Sequence, residues 1–222
     1  MMAWPPLTAP GPRAILFDLD GTLVDSAPRI CSGLRAALVA LSLPVPTDAE
    51  MRGCIGLPLP HVWDRLGVRV DQHGRAIDGY RAWAATADQV PAPTFPGIDD
   101  LLADLHRNGH TLLLASAKDT TSAQKALDVH GWNELFIGAS GSEPGDGPDK
   151  RALVGRGLSM LPAELRSSAI MIGDMPVDGD AAHSNGIGFI AVSWGYGRHD
   201  ELLSHHPIAL VADAAELARM LA

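Results

Sequence analysis

Short apolar runs of strand length recur along the chain: Ala14 to Phe17, Thr111 to Ala115, Ala169 to Ile172, Gly188 to Val192 and Ile208 to Val211. They are nearly continuous rather than alternating, the pattern of parallel strands covered on both faces. Helical patterns separate them. "PGIDDLLADLHRNG" sets Ile98, Leu101, Leu102 and Leu105 on one face and stops at Gly109. "DTTSAQKALDVHG" has capping residues in front and Gly131 behind. Strand alternating with helix implies an open, doubly wound (Rossmann-like) α/β core around a parallel sheet.

Between Val24 and Pro93 the pattern changes. No strand run stands out there. Leu34, Leu38 and Leu41 recur at helical spacing, "TDAE" from Thr47 to Glu50 is a capping-box pattern, and Gln72 to Gln89 reads as a further helix. The proline-rich "PAPTFPG" closes the segment. The expectation is an all-helical cap over 24–92 inserted into a core made of 13–23 and 93–222, with 1–12 a loose proline-rich leader.

With 222 residues, the chain can hold one large domain or a core with a smaller insert. Lysine and arginine total 17 against 26 acids, a formal charge of −9. That argues against a nucleic-acid polymer or a membrane surface as partner, since either needs a basic face, and leaves room for a local cationic pocket holding a small anion. Cys31 and Cys54 have no metal-ligand spacing and read as reduced thiols. The opening "MMAWPPLTAPGP" has neither the basic start nor the apolar run of a secretory signal, and no stretch has the length of a membrane span. A cytoplasmic location follows as the expectation, with monomer and homodimer both open.

Chemistry gathers where the strands end. The first run ends at Asp18, with Asp20 two residues on; the second, "TLLLAS", ends at Ser116; "AIMIGD" ends at Asp174, with Asp178 close behind. Ligand crevices of open parallel sheets lie outside the carboxyl ends of the strands. Lys150 precedes the helix leading into the Asp174 strand. Neighbouring acids repel unless a cation lies between them, and Mg²⁺ takes carboxylates together with phosphate oxygens. Lys150 and Ser116 suit the phosphate, and an aspartate can accept a phosphoryl group covalently. Asp20 would then act as acid and base, its pKa raised by like-charge neighbours.

"DLDGTLVDS", Asp18 to Ser26, resembles the first motif of the haloacid dehalogenase (HAD) superfamily. Ser116, Lys150 and "GDMPVD" (Gly173 to Asp178) follow in the order of that family's second, third and fourth motifs. The whole chain is similar to the phosphoglycolate phosphatase-like branch with a helical C1-type cap. The resemblance implies Asp18 as nucleophile and Asp20 as acid/base, with Ser116 and Lys150 holding the phosphoryl group. It implies Mg²⁺ on Asp18, the Asp20 backbone carbonyl and Asp174, supported by Asp178. Substrate contacts would come from Gly21, Thr22 and Ala117, and from Arg52 and Gly56 of the cap, where "GLPL" (Gly56 to Leu59) occupies the place of a specificity loop. Asp20 favours a phosphatase over a dehalogenase, whose leaving halide needs no proton. Two departures from the family pattern are Ala117, where asparagine is common, and Arg151, where proline is common.

The implied activity is Mg²⁺-dependent hydrolysis of a small phosphorylated metabolite, phosphoglycolate first. A 5′-nucleotidase, a sugar phosphomutase and a non-catalytic binding relative are the alternatives. Arg52, Arg65 and His61 would suit a small acid; a nucleoside would want an apolar wall. Other motifs lead nowhere. "GSEPGDGPDK" lacks a glycine directly before its lysine, "GYG" at Gly195 to Gly197 lacks a dinucleotide fingerprint's third glycine, and Gly109 separates His106 from His110. Asp180 reads as a helix N-terminal acid.

Overall fold

The computed structural model describes residues 11–57, 59–87, 91–143 and 150–222. Six strands form one parallel sheet in the order β3-β2-β1-β4-β5-β6. They are β1 (Ala14–Phe17), β2 (Thr111–Asp119), β3 (Phe136–Ser142), β4 (Ile170–Gly173), β5 (Gly188–Val192) and β6 (Ala209–Val211). β1 lies at the centre, with Leu16 beside Leu113 on one neighbour and Met171 on the other. All four of its residues are buried, as the unbroken apolar run requires of a strand covered on both faces. One face packs Ile15, Phe17, Leu102 and Leu114; the other packs Leu16, Leu113, Val154 and Phe189.

The expected strands are present, and two findings correct the reading. The edge strand β3 was not foreseen, because "FIGASGS" is broken by Gly138 and Gly141 and carries serines. Gly141 is required: a Cβ there would stand 2.4 Å from the Thr120 nitrogen. β2 does not end at Ser116 but continues to Asp119, whose side chain caps the next helix by accepting from the Ser122 N–H.

The region after β1 is helical. It contains α1 (Ala27–Ala40), α2 (Asp48–Arg52), α3 (Leu59–Arg65), a 3₁₀ turn (Val70–Gln72) and α4 (His73–Ala87). Thr47 and Glu50 form the capping box that the sequence suggests. The helix expected from Gln72 starts at His73; the end expected for it at Gln89 lies outside the described residues. Leu59 opens α3, so the "GLPL" loop is shorter than its motif, and Pro58 is outside the described residues. These helices enclose an apolar cluster of their own, including Cys31, Leu34, Leu38, Met51 and Trp63. Both cysteines are free and buried.

The chain crosses into and out of this region side by side. Val24 bridges Thr94 antiparallel, the Asp25 N–H donates to the Pro93 carbonyl at 2.8 Å, and the Phe95 N–H donates to Leu23 at 3.0 Å. The remaining helices are α5 (Ile98–Arg107), α6 (Thr120–His130), α7 (Arg151–Met160), α8 (Ala163–Arg166), α9 (Pro176–Ser184), α10 (His199–Ser204) and α11 (Ala214–Leu221). Among the described residues, no helix is long and apolar enough to cross a membrane. Nearly all of the expected leader, 1–10, and the segment 144–149 lie outside the described residues.

Candidate active site

The sheet brings the motif residues to one end. Asp18 continues β1, its N–H donating to the Ile172 carbonyl at 2.9 Å, so its side chain emerges beside the end of β4. Asp174 follows β4 directly, and Asp178 lies in the first turn of α9, its Oδ2 accepting from the Met175 N–H at 3.0 Å. Gly173 is needed there, because a Cβ would collide with the Asp178 carboxylate at 2.2 Å. Lys150 stands at the N-terminus of α7 and reaches across to donate to Asp18 Oδ1 at 2.5 Å and Asp178 Oδ1 at 2.7 Å.

Asp18, Asp174 and Asp178 each offer an oxygen within 4.8 Å of the others, and all three are buried. Lys150 is buried with them. One ammonium against three carboxylates leaves the cluster short of positive charge. Burial pushes Asp18 up to about 7, opposed by Lys150 and helped by Asp178. Burial also raises Asp174 well above its ordinary value, with Asp18 and Asp178 adding to it. Burial would lower Lys150, but Asp178 and Asp18 outweigh it and hold the ammonium charged.

Asp174 is tightly oriented. Thr22 donates to its Oδ1 at 3.0 Å, and the Tyr196 N–H donates to its Oδ2 at 2.7 Å. Two glycines make room: a Cβ on Gly21 would lie 2.3 Å from Asp174 Oδ2, and one on Gly195 would lie 2.3 Å from Asp174 Cβ. Gly21 also adopts φ +94°, a conformation glycine takes without strain. Gly21 and Thr22, expected to contact substrate, are buried against this carboxylate.

Asp20 stands apart from the three. Its Oδ2 is 2.7 Å from Lys118 Nζ. Burial raises the Asp20 carboxyl, yet Lys118, then Ser26 and Lys150, bring it below its ordinary value. The expected upward shift is therefore reversed, because the nearest charge is a lysine rather than another acid. Ser116 is buried at the floor, its hydroxyl accepting from the Lys118 N–H at 3.3 Å. The Ala117 carbonyl accepts from Ser142 at 3.2 Å.

From the helical region, Gly56 reaches the site. At φ +87° its Cβ position is 3.0 Å from Met175 Cγ, so the loop before α3 rests on the residue after Asp174. Arg52, Arg65 and His61 are exposed, and the His61 ring lies 3.9 Å from Asp64. None of the three joins the buried cluster. Two participants escaped sequence reasoning. Lys118 was within reach of it, standing directly after Ala117; Tyr196 belongs to the "GYG" set aside as a failed dinucleotide motif, and no local signal marks it. Asp180 pairs with His205 at 2.9 Å, away from the cluster.

The family model for haloacid dehalogenase-like hydrolases matches residues 15–192. The chain belongs to that family. A tyrosine-protein kinase PtkA of Mycobacterium tuberculosis is 34% identical, covering 87% of this chain and 67% of that protein. A 5′-nucleotidase of Pseudomonas aeruginosa is 33% identical over 93% of this chain and 94% of its own length. A phosphoglycolate phosphatase of Cereibacter sphaeroides is 31% identical over 86% and 93%. Among solved structures, a haloacid dehalogenase-like hydrolase from Streptococcus pneumoniae superposes with TM-score 0.87 at 31% identity, covering 95% of this chain and 99% of that one. The present chain is thus a hydrolase with the fold of this family, as the motifs led us to expect.

Proposed function

We propose that this hydrolase is a Mg²⁺-dependent phosphomonoesterase that works through an aspartyl-phosphate on Asp18. The observation that carries the reading is the buried group of Asp18, Asp174, Asp178 and Lys150 beside a separate Asp20–Lys118 pair. Phosphatases among the relatives support it.

The donor set fits a hard divalent cation: oxygen ligands, excess negative charge, and a carboxylate held from both sides by Thr22 and the Tyr196 N–H. Asp18, Asp174 and the Asp20 carbonyl would hold Mg²⁺, with Asp178 behind them. Once bound, the ion would favour ionised carboxylates and neutralise phosphate charge.

The protein's own groups then account for both half-reactions. An Asp18 carboxylate oxygen forms a bond to phosphorus as the ester P–O bond breaks, and the leaving alkoxide takes a proton from Asp20. Asp20, now ionised, takes a proton from water as the water oxygen attacks phosphorus, releasing phosphate and restoring Asp18. Lys118 favours the ionised form of Asp20 and so suits the second half-reaction. Lys150 orients Asp18 and opposes charge on the transferred group. Residues 24–92 act as a cap that excludes water and selects the substrate.

The substrate is a small phosphate monoester. Phosphoglycolate is the reading the basic residues Arg52, Arg65 and His61 suggested. A nucleoside 5′-monophosphate is the second reading, supported by the 5′-nucleotidase among the relatives. Phosphate release from phosphoglycolate, nucleoside 5′-monophosphates and sugar phosphates, with and without Mg²⁺, tests both. Asp18→Asn should abolish turnover while the fold persists. A wild-type protein that hydrolyses none of these esters with Mg²⁺ would sink the enzyme reading.

A further inference from the structure

The segment Trp194–Gly197 after β5 makes contacts that the proposed chemistry does not use. Its backbone presses on the metal-site loop: a Cβ on Gly195 would lie 2.4 Å from the Gly21 carbonyl, and one on Gly197 would lie 2.0 Å from the Asp174 carbonyl. The Trp194 indole donates to the Thr22 carbonyl at 2.9 Å. Between the two glycines, Tyr196 turns both ways. Its N–H holds Asp174, and its phenol leaves the core loop for the first crossing into the helical region.

There the phenol is used twice. It donates to Asp25 Oδ1 at 2.9 Å and accepts from the Ala27 N–H at 2.9 Å. Ala27 is the first residue of α1, whose leading N–H groups have no partner within the helix. Ser26 at the N-cap makes no side-chain capping bond, and the first turn holds no acid. A side chain of the core thus supplies the missing cap for the first helix of the other region. Asp25 extends the connection, since its N–H donates to Pro93 on the return crossing. Tyr196 therefore joins the Asp174 carboxylate directly to the outgoing strand of the crossing, and through Asp25 to the returning one.

We propose that Tyr196 is a positioning residue that couples the state of the Asp174 site to the setting of the helical region over it. The coupling rests on the reading of Asp174 as a metal ligand and of 24–92 as a cap. A rotation of α1 about the crossing must strain or break the phenol's bonds, and a shift of the loop that carries Tyr196 moves the N–H on Asp174. Filling that site therefore biases the crossing, and a substrate that closes the cap tightens the site in return.

Tyr196→Phe keeps the ring and the N–H on Asp174 but removes both bonds to the crossing. Hydrogen exchange gives the first readout. In the wild type, Mg²⁺ alone should slow exchange of the Asp25, Ala27 and Phe95 amides. In Tyr196→Phe that transmitted protection should disappear, while the concentration of Mg²⁺ that half-protects the Asp18–Gly21 amides stays within about twofold. In turnover, KM should rise roughly tenfold with little change in kcat, the loss of one hydrogen bond to a charged group. Asp25→Ala should reproduce this, and Asp25→Asn, which keeps an acceptor for the phenol, should restore it. The proposal is overturned if Mg²⁺ protects the crossing equally in wild type and Tyr196→Phe, if Mg²⁺ protects the Asp18–Gly21 amides of the wild type but not its crossing, or if Tyr196→Phe lowers stability alone. A wild type that protects the crossing on Mg²⁺ yet hydrolyses no ester defeats the phosphatase reading and leaves the coupling standing; one that binds no Mg²⁺ overturns both.

Discussion

The end of the sheet and the interior of the helical region both bury a cluster of side chains, and the two clusters are built from opposite materials. Asp18, Asp174, Asp178 and Lys150 are buried together at the first. The second buries Cys31, Leu34, Leu38, Met51 and Trp63, with no charged side chain buried there among the described residues. Removing ions from water is expensive, so each member of the ionic cluster must be held in place by a partner or by a glycine that makes room. An apolar interior asks only for volume and shape. The first region therefore has few tolerable sequences, and the second has many.

The sharpest way to break that contrast is to remove a charge from one and a shape from the other. Lys150→Met leaves three buried carboxylates facing one another. Turnover should fall by at least about a hundredfold, and stability by about 3–5 kcal/mol. Met51→Leu in the helical cluster should cost less than about 1.5 kcal/mol and leave kcat unchanged. Phosphate release and urea midpoints on both variants decide the matter. Equal stability losses would mean that the cluster is no more constrained than the apolar core.

The same contrast explains what could be read in the sequence. Asp18, Asp20, Lys150, Asp174 and Asp178 stand in short local motifs, since a cluster so costly to build fixes residue types at fixed offsets from strand ends. β1 and β5 were legible for a related reason, their apolar runs being buried on both faces. β3 was not, because an edge strand with two glycines carries no such run. The Thr22 hydroxyl turns to Asp174, 152 positions away, a direction that adjacency in sequence does not show. Lys118 and Tyr196 act across the fold as well, and the reversed pKa direction at Asp20 follows from the first of them.

Two glycines give the next comparison. Gly21 and Gly67 both have positive φ, +94° and +74°, but a Cβ at Gly21 strikes Asp174 while none of the described residues lies within 4 Å at Gly67. Gly67→Ala should cost about 1–2 kcal/mol from backbone strain alone, with kcat intact. Gly21→Ala should add displacement of the carboxylate, weakening Mg²⁺ binding and lowering turnover roughly a hundredfold. Turnover unchanged in Gly21→Ala would mean that the orientation of Asp174 matters little.

Two tryptophans test polar satisfaction on the two sides. Trp132 in the core donates its indole N–H to Asp99 at 2.9 Å, whereas the buried Trp63 indole N–H in the helical cluster has no partner among the described residues. Substituting phenylalanine removes a made bond in one case and an unmet donor in the other. Trp132→Phe should therefore cost about 1–2 kcal/mol more than Trp63→Phe, read from chemical denaturation. A larger loss at Trp63 would mean that ring volume outweighs the donor.

The smallest expected effect sharpens the contrast within the core itself, between its two ends. His110, at the start of β2 and far from the carboxylates in sequence, is buried, and burial holds its imidazole below the ordinary 6.5. Its Nδ1 accepts from the Arg13 N–H at 3.2 Å, a bond that needs that nitrogen unprotonated. The unfolded chain thus binds the proton more readily than the folded one. The stability this group contributes is present above about pH 6.5 and is lost as pH falls through the lower folded value. Asp18 works in the opposite sense: burial raises it to about 7, so the folded state holds the extra proton and its contribution is lost as pH rises. A single stability profile therefore mixes two slopes, and the difference between two proteins separates them. His110→Asn keeps an acceptor near the position of Nδ1 and removes the titration. Urea midpoints of wild type and His110→Asn should converge between pH 7.5 and 5.5 (about the range in which an imidazole charges), the wild type losing its advantage toward acid. Parallel profiles would place the acid sensitivity of the core elsewhere, with the half-buried His130, also lowered by burial, the next residue to replace.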